Sequence, residues 1–237
     1  MRDIKQQLAN VDWESVGRDL DAQGYAHVNS LLDAEQCAQL TELYERGFGF
    51  RKTVVMERHN YGRGEYKYFD YPLPTMIQEL REGMYPHLAG TASRWMQMLN
   101  IGQSYPDTLA GFLQICHERE QRLATPLILR YGPGGFNTMH QDMYGEVFFP
   151  MQVVLMLSEV GEDFTGGDFV LTEQRARSQA RATVLQPRRG DAIIFTSSFY
   201  PVASAAGFSK ASVKHGVSTV LSGRRQTAGI IFHDAAS

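Results

Sequence analysis

The sequence predicts an α+β protein in which a mainly helical first part supports a β-rich second part of sandwich or barrel type. Before residue 124, apolar residues recur at helical spacing in several stretches. After residue 125, short strand-like runs follow one another, with Gly- and Pro-containing turns between them. The cupin-type jelly roll is one way in which such strands close. We expect a single domain over 1–237, with a helical part over 1–124 and a jelly-roll core over 125–237.

Composition indicates an ordinary globular protein. The 237 residues are 43% hydrophobic and 21% charged, and the net charge is −3. No apolar run approaches the roughly 20 residues of a membrane-spanning helix, and the N-terminus has no apolar signal region. Cys37 and Cys116 have no metal-like spacing and exclude a disulfide framework. We therefore expect a cytoplasmic protein without a membrane partner.

The first elements follow from helix caps and apolar spacing. A short amphipathic helix is expected over 12–20 and a strand over 24–29. Asp33 and Gln36 form a candidate capping box. The helix that they open should end at 47–49, and its apolar residues recur at helical spacing: Cys37, Leu40, Leu43 and Tyr44.

The next two segments have weaker patterns. Residues 51–74 are rich in aromatic and charged side chains but lack periodicity, which suggests a loop that contacts substrate. Residues 75–100 have helical spacing, and Pro86 and Gly90 predict a broken helix there.

The second part contains alternating or continuous apolar runs typical of strands. Turns such as 165–167, 187–190 and 222–223 separate several of them. The expected strands cover 127–131, 147–157, 168–171, 182–185, 191–195, 213–221 and 227–232.

Three side chains form a candidate metal site. His140 and Asp142 are two residues apart, so on an extended strand both point to the same face. His215 lies on a later strand and is the candidate third ligand. Two histidines and one carboxylate are the facial triad of non-haem Fe(II) oxygenases, which leaves coordination positions open.

Other histidines are weaker candidates. A His-x-Asp pair is common by chance, and His233 has its own neighbouring carboxylate, Asp234. Adjacent residues of a strand point to opposite faces, so His215 is the preferred ligand. We expect three further histidines to be surface or core residues: His27, His87 and His117.

An arginine follows His215 at a distance that places it on the next strand. Arg225 is ten residues downstream, after the turn at Gly223. A guanidinium there can form a forked pair with the far carboxylate of a metal-bound 2-oxo acid. Arg224 is the alternative, because only one of two neighbours on a strand can point inward.

Over residues 125–235 the chain resembles the Fe(II)/2-oxoglutarate-dependent dioxygenase superfamily. The distal motif, His215 to Arg225, is similar to prolyl-hydroxylase-like members. The proximal motif, 130–142, looks like that of AlkB-type nucleic-acid dealkylases, but the Arg-x-Asn-x-Thr stretch of those enzymes is absent. The resemblance rests on 130–142, 166–171, 187–191 and the pair His215 and Arg225.

The resemblance implies a double-stranded β-helix core and a defined chemistry. Fe(II) would bind His140, Asp142 and His215, and 2-oxoglutarate would be anchored by Arg225 and Tyr131. With O2, the enzyme would release succinate and CO2 and hydroxylate a substrate C–H bond, and an N-methyl group would leave as formaldehyde.

The substrate is indicated only by basic and aromatic residues. Between 51 and 71, tyrosines and arginines alternate in a pattern that suits base stacking and phosphate contact, and 174–189 adds five arginines with no acid. We therefore favour alkylated DNA or RNA, as in DNA repair. A peptidyl or free amino-acid hydroxylase and a non-catalytic cupin-like metal sensor are the alternatives. The candidate substrate residues are Arg58, Tyr61, Arg63, Tyr66 and Tyr68, with Lys67, Phe69 and Tyr71 beside them and Arg175, Arg177, Arg181, Arg188 and Arg189 in the second segment.

Overall fold

A computed structural model describes residues 3–142, 145–205 and 207–236. The helices, all before the first strand of the jelly roll, are α1 Ile4–Ala9, α2 Trp13–Gln23, α3 Ala34–Glu45, α4 Thr75–Met98 and α5 Leu109–Glu118. The strands are β1 Tyr25–Val28, β2 Phe50–Val55, β3 Gly62–Arg63, β4 Glu65–Phe69, β5 Leu127–Tyr131, β6 Phe136–His140, β7 Met151–Met156, β8 Phe164–Gly166, β9 Phe169–Gln174, β10 Arg181–Leu185, β11 Ala192–Thr196, β12 Phe199–Ser204, β13 Gly207–Val217, β14 Val220–Gly223 and β15 Arg225–Ile231.

Helix starts are set by side-chain caps. The Asp12 carboxylate caps α2, and Thr108 caps α5 through its hydroxyl. The predicted capping box of α3 is confirmed, because Asp33 and Gln36 each accept from the other's backbone N–H.

The predicted break at Pro86 is wrong, since α4 runs without interruption through that residue. Pro86 itself is exposed, whereas Tyr85 and Leu88 on either side of it are buried. Burial of the apolar residues of α4 offsets the hydrogen bond that the proline removes.

Residues 51–74 do not form the predicted loop. β2 and β4 are an antiparallel pair, and β4 also pairs with β5, so the segment extends a sheet of the core. Between them lie a 3-10 turn, Met56–His59, and the short strand β3. The strand character was missed because buried and exposed faces both carry aromatic or charged side chains there.

The later strands differ from prediction mainly at their ends. The strand expected over 147–157 begins only at Met151, after Pro150. The strand expected over 213–221 divides into the end of β13 and a separate strand, β14. β6 and β12 were not predicted, and β6 carries the candidate ligand His140.

The strands assemble into two main sheets, which confirms the predicted α+β fold with a β-sandwich core. Among the described residues, the major sheet has the order β1-β11-β7-β15-β5-β4-β2, and the minor sheet has the order β10-β9-β13-β6-β3. β12 pairs with β13, and β8 pairs with β14 at one end. Within the described ranges, no helix is long and apolar enough to cross a membrane.

The main hydrophobic core joins the helices to the major sheet and also includes residues of the minor sheet, such as Phe169 and Val213. Aromatic side chains from both layers meet there, among them Tyr85, Phe112, Phe149 and Phe232. Two smaller apolar clusters lie elsewhere, and they include residues of the cavity described below, such as Tyr131 and Tyr68. The helices therefore support the major sheet and leave the cavity to residues of both sheets.

Candidate metal centre

The structure brings His140, Asp142 and His215 together. β6 and β13 are antiparallel neighbours, and their register places His140 opposite His215. The Nε2 atom of His140 lies 3.5 Å from Oδ1 of Asp142, and Nε2 of His215 lies 3.2 Å from Oδ2. One ligand atom from each residue lies within 4.8 Å of the others, so the three can hold one metal ion.

The surroundings fix which imidazole nitrogen faces the metal position. Nδ1 of His140 is 2.7 Å from the carbonyl of Thr138, so it carries the hydrogen and leaves the lone pair of Nε2 free. The His215 ring is packed edge-on against Phe195, with centroids 4.8 Å apart. Both nitrogens are thereby directed at the Asp142 carboxylate.

Gln152 is a site residue that was not predicted. Its amide donates to Oδ2 of Asp142 at 2.9 Å and lies 3.3 Å from Nε2 of His215. It is buried on β7, whose other residues are apolar. A single amide within the apolar run 147–157 was the available signal, because a buried amide requires partners.

The electrostatics favour the protonation states that bind metals. Burial raises the pKa of Asp142, but the charge and hydrogen bond of His215 outweigh it and hold that pKa well below its usual value. Burial and then the neighbouring His215 lower the pKa of His140. These shifts favour an anionic Asp142 and a neutral His140, which are the ligand forms that a divalent ion requires.

A second group of polar side chains lies on the major sheet. Arg225 on β15 is paired in register with Tyr131 on β5, and both residues line the same cavity as the metal triad. Nε of Arg225 donates to the carbonyl of Gly167 at 2.8 Å, and Cζ lies 5.6 Å from the Tyr131 ring centroid. Gly167, at φ +63°, leaves room for this side chain, because a Cβ there would lie 2.9 Å from Cδ of Arg225.

Two donors of this pair are buried and unsatisfied. Nη2 of Arg225 and the hydroxyl of Tyr131 have no hydrogen-bond partner among the residues that the structure describes. Burial raises the pKa of Tyr131 to about 12, against the opposing effects of the Arg225 charge and of Asn137. Burial lowers the pKa of Arg225 to about 10, so it stays charged at neutral pH. A cation and a phenol with free donors fit the far carboxylate of a 2-oxo acid.

The geometry separates the two neighbouring arginines. Arg225 is fully buried and faces the cavity. The Arg224 side chain is 62% exposed and lies 3.8 Å from Glu45 on the outer surface. Arg225 is therefore the one of the two that is placed to meet a ligand beside the metal position.

The predicted substrate residues divide into two groups. Tyr61, Tyr66 and Tyr68 line the cavity, which has a volume of about 280 Å³. Arg58 is exposed and does not line the cavity, and Arg63 points outward, 3.9 Å from Glu57. The three tyrosines thus line the cavity beside the metal triad, whereas the two arginines lie at the outer surface.

The other candidates of segment 51–71 contribute to the fold. Lys67 donates to the carbonyl of Tyr44, and Phe69 is buried in the main core. The Tyr71 hydroxyl donates to Asp234.

Four of the five arginines of 174–189 contact carboxylates, and Arg177 is exposed. Arg175 and Arg181 both lie within ion-pair distance of Glu173. Arg188 pairs with Glu159 and Arg189 with Glu162, at 3.6 and 3.1 Å. The five arginines outnumber the three acids that contact four of them, so a locally basic rim stays a prediction.

Four of the five remaining histidines, those considered above, have structural surroundings. Nδ1 of buried His233 accepts from the backbone N–H of Phe149, and His233 is not part of the metal cluster. His27 contacts the carboxylate of Asp191, and His117 contacts that of Asp234. His87 stacks on the indole ring of Trp13.

Comparison with known proteins places the chain in a family. Residues 64–235 match the sequence model of the family Oxygenase-NA, described as "Oxygenase, catalysing oxidative methylation of damaged DNA". The chain is 44% identical to an uncharacterised protein of Mycobacterium tuberculosis over 168 aligned residues. The aligned region covers 71% of this chain and 72% of that protein.

Solved structures share the fold at low sequence identity. A prolyl-4-hydroxylase of Pseudomonas putida aligns with a TM-score of 0.53 at 16% identity, over 92% of this chain and 97% of that one. A 2-oxoglutarate–Fe(II) oxygenase family protein of Burkholderia pseudomallei aligns with a TM-score of 0.55 at 17% identity, over 96% and 95%. With the family match, the shared fold and the His-Asp-His donor set, the chain belongs to the Oxygenase-NA family and is an Fe(II)- and 2-oxoglutarate-dependent dioxygenase.

Proposed function

We propose that this dioxygenase removes methyl groups from damaged nucleobases in DNA or RNA. The observation that carries the proposal is a single cavity that combines the metal triad, the buried pair Arg225 and Tyr131, and three tyrosines. The family description supports nucleic acid as the substrate.

In this proposal His140, Asp142 and His215 hold Fe(II), and Gln152 orients the carboxylate. Bound Fe(II), with 2-oxoglutarate and O2, supplies an oxidant that inserts one oxygen atom into a C–H bond, while 2-oxoglutarate becomes succinate and CO2. The three side chains would hold the ion, and a set of two histidines and one carboxylate is one that leaves open positions for cosubstrates.

Arg225 and Tyr131 recognise the far carboxylate of 2-oxoglutarate. The guanidinium neutralises its charge, and the Tyr131 hydroxyl donates a hydrogen bond, since a pKa of about 12 keeps it protonated. Burial of both side chains excludes water from this contact and strengthens it.

Hydroxylation of an N-methyl group leads to its removal. One oxygen atom of O2 enters a methyl C–H bond and the other enters succinate. The resulting N–CH2OH group breaks at its C–N bond and gives formaldehyde and N–H. Oxygenation thus repairs a methylated base, and Tyr61, Tyr66 and Tyr68 offer ring surfaces on which that base can stack.

The test is release of succinate and formaldehyde from methylated single-stranded oligonucleotides under Fe(II), 2-oxoglutarate and air. We expect one formaldehyde per coupled succinate, and none from His215→Ala. Turnover of peptides or free amino acids but not of oligonucleotides would instead support the hydroxylase that the spacing of His215 and Arg225 suggests. No turnover of any substrate would favour a metal-binding sensor.

We also propose that the protein acts in the reducing cytoplasm. Cys37 and Cys116 are free and buried, and burial raises the pKa of Cys37 to about 11, which keeps it an unreactive thiol. A reducing compartment also preserves Fe(II). Cell fractionation with an antibody to the protein tests this location.

A further inference from the structure

The cavity contains almost no charge beyond that needed for iron and cosubstrate. Among the described lining residues, Asp142 and Arg225 are the only ones with a formal charge when the histidines are neutral. The proposed function assigns Asp142 to the metal and Arg225 to 2-oxoglutarate. The remaining lining, which the substrate must contact, is uncharged.

The sheet register shows why this part of the cavity is uncharged. Tyr66 is paired with Leu129, and Tyr68 with Leu127, on the adjacent strands β4 and β5. Leu127 is paired in turn with Gly229 on β15. These residues form an uncharged strip of the major sheet beside the pair Arg225 and Tyr131.

The charged residues of the same two strands contact other groups. Glu65 accepts from the Tyr44 hydroxyl, and Lys67 lies over the Tyr44 ring at 4.1 Å. Arg130 pairs with Glu45. Strand alternation thus places these charges away from the cavity, and none of them lines it within the described part of the chain.

An uncharged lining penalises a cationic substrate group. A cation that leaves water for a site without a counter-ion loses solvation, and only aromatic faces remain to offset the loss. Tyr66 and Tyr68 meet edge to face, with centroids 5.4 Å apart and planes at 89°, so their faces do not enclose a common cation. A neutral planar ring loses little solvation and can stack on the same surfaces.

We infer that the substrate site selects methylated bases that are uncharged at neutral pH over those that methylation makes cationic. Methylation at N3 of thymine gives a neutral base, whereas methylation at N1 of adenine or N3 of cytosine gives a cation. The inference rests on the proposed function and specifies its substrate class.

The first test compares these three bases in single-stranded oligonucleotides of the same flanking sequence. Formaldehyde release should give a kcat/KM about tenfold higher for 3-methylthymine than for either cationic base. Equal or faster turnover of the cationic bases overturns the inference and leaves the demethylase proposal standing. Absence of turnover for all three overturns the demethylase proposal itself.

The second test adds a charge at the cavity mouth. Tyr61 lines the cavity and is 49% exposed, so a polar side chain is tolerated there. Tyr61→Glu should raise the ratio of cationic to neutral turnover about tenfold, because it supplies the missing counter-ion. Tyr61→Gln, which matches the glutamate in size but is neutral, accounts for the loss of the ring, so the ratio in Tyr61→Glu should exceed that in Tyr61→Gln about tenfold. An equal shift in both variants, or no shift in either, overturns the inference.

Discussion

Gln152 links the ligands of the metal site through one hydrogen bond. Its amide donates to Oδ2 of Asp142 at 2.9 Å and lies 3.3 Å from Nε2 of His215. An amide so placed would hold the orientation of the carboxylate when a metal ion binds. The side chain acts through Asp142 and is a positioning residue.

Replacement of Gln152 therefore should weaken metal binding. In Gln152→Leu we expect Mn(II) affinity, measured by anaerobic titration, to fall about 10- to 100-fold, because the ligand loses its supporting hydrogen bond. Gln186→Leu is the matched control, since Gln186 donates to Asp168 outside the cavity, and should keep wild-type affinity. Unchanged affinity in Gln152→Leu would remove the positioning role.

The neighbouring residues Arg225 and Arg224 allow a buried and an exposed arginine to be compared by the same substitution. Arg225→Lys keeps the charge but loses the fork, so we expect the KM for 2-oxoglutarate to rise about 100-fold. Arg224→Lys, on the exposed side of the strand, should stay within about twofold of wild type. Steady-state succinate release measures both, and a similar rise in the two variants would contradict the assignment of Arg225.

Some residues of the site can be predicted from their spacing in the sequence, whereas others can be identified only in the folded chain. The i, i+2 pair His140 and Asp142 follows from strand alternation, and Arg225 follows from a short turn after His215. Gln152 has no fixed spacing to the ligands, because it reaches them from a strand of the opposite sheet. The pairing of Arg189 with Glu162 likewise depends on a contact between distant segments.

At the scale of elements, α4 shows how tertiary packing overrides a local signal. Pro86 removes one helical hydrogen bond, yet the helix continues because Tyr85 and Leu88 are buried in the main core. The burial of these side chains offsets the free energy lost with the missing backbone hydrogen bond at Pro86.

Replacement of that proline should stabilise the protein. Pro86 is exposed, so Pro86→Ala loses no packing and restores a backbone N–H donor; we expect the free energy of unfolding to rise by about 2 kcal/mol. Pro74→Ala is the control, since Pro74 precedes the first turn, where an N–H has no helical partner. Chemical denaturation measures both, and an equal gain at the two positions would show that the missing helical hydrogen bond at Pro86 is not its cause.

The β2–β4 hairpin shows the limit of periodicity as a signal for strands. β4 alternates Tyr66, Lys67 and Tyr68, and both faces of the strand make contacts, with the cavity on one side and Tyr44 on the other. An apolar–polar pattern is weak in such a strand, although its aromatic residues favour a sheet. The residues that line the cavity were therefore identified from composition, but their strand was not.

At the scale of the whole molecule, the end of the chain closes the fold. β15 lies in the middle of the major sheet between β5 and β7, so the sheet is complete only when this late strand is inserted. Arg81 of α4 then binds the following segment, through the carbonyls of Ile231 and Phe232 and the buried carboxylate of Asp234. The number of strands and the turns between them predicted a sandwich or barrel. The order of the strands could not be predicted, because it depends on pairings between segments that are distant in the sequence.

His233 lies in this closing segment and makes the stability of the fold depend on pH. Its ring is buried, and burial, followed by the charge of Arg81, lowers the pKa of His233 to about 4 against the opposing effects of Asp142 and Asp234. The backbone N–H of Phe149 donates to Nδ1, so the folded state requires the neutral ring. The unfolded chain binds a proton below about pH 6.5, whereas the folded chain does so only near pH 4.

Stability should therefore fall as the pH decreases through this window. Below about pH 6.5 the unfolded state gains protons that the folded state excludes, and the loss attributable to His233 approaches about 3 kcal/mol near pH 4. His233→Asn keeps an acceptor for Phe149 without a titratable ring, so its free energy of unfolding should vary less with pH even if it is lower at neutral pH. Urea denaturation of both proteins between pH 7 and about pH 4.5 measures the difference in slope. Parallel pH profiles would show that the acid sensitivity comes from the carboxylates of the protein and not from the buried histidine.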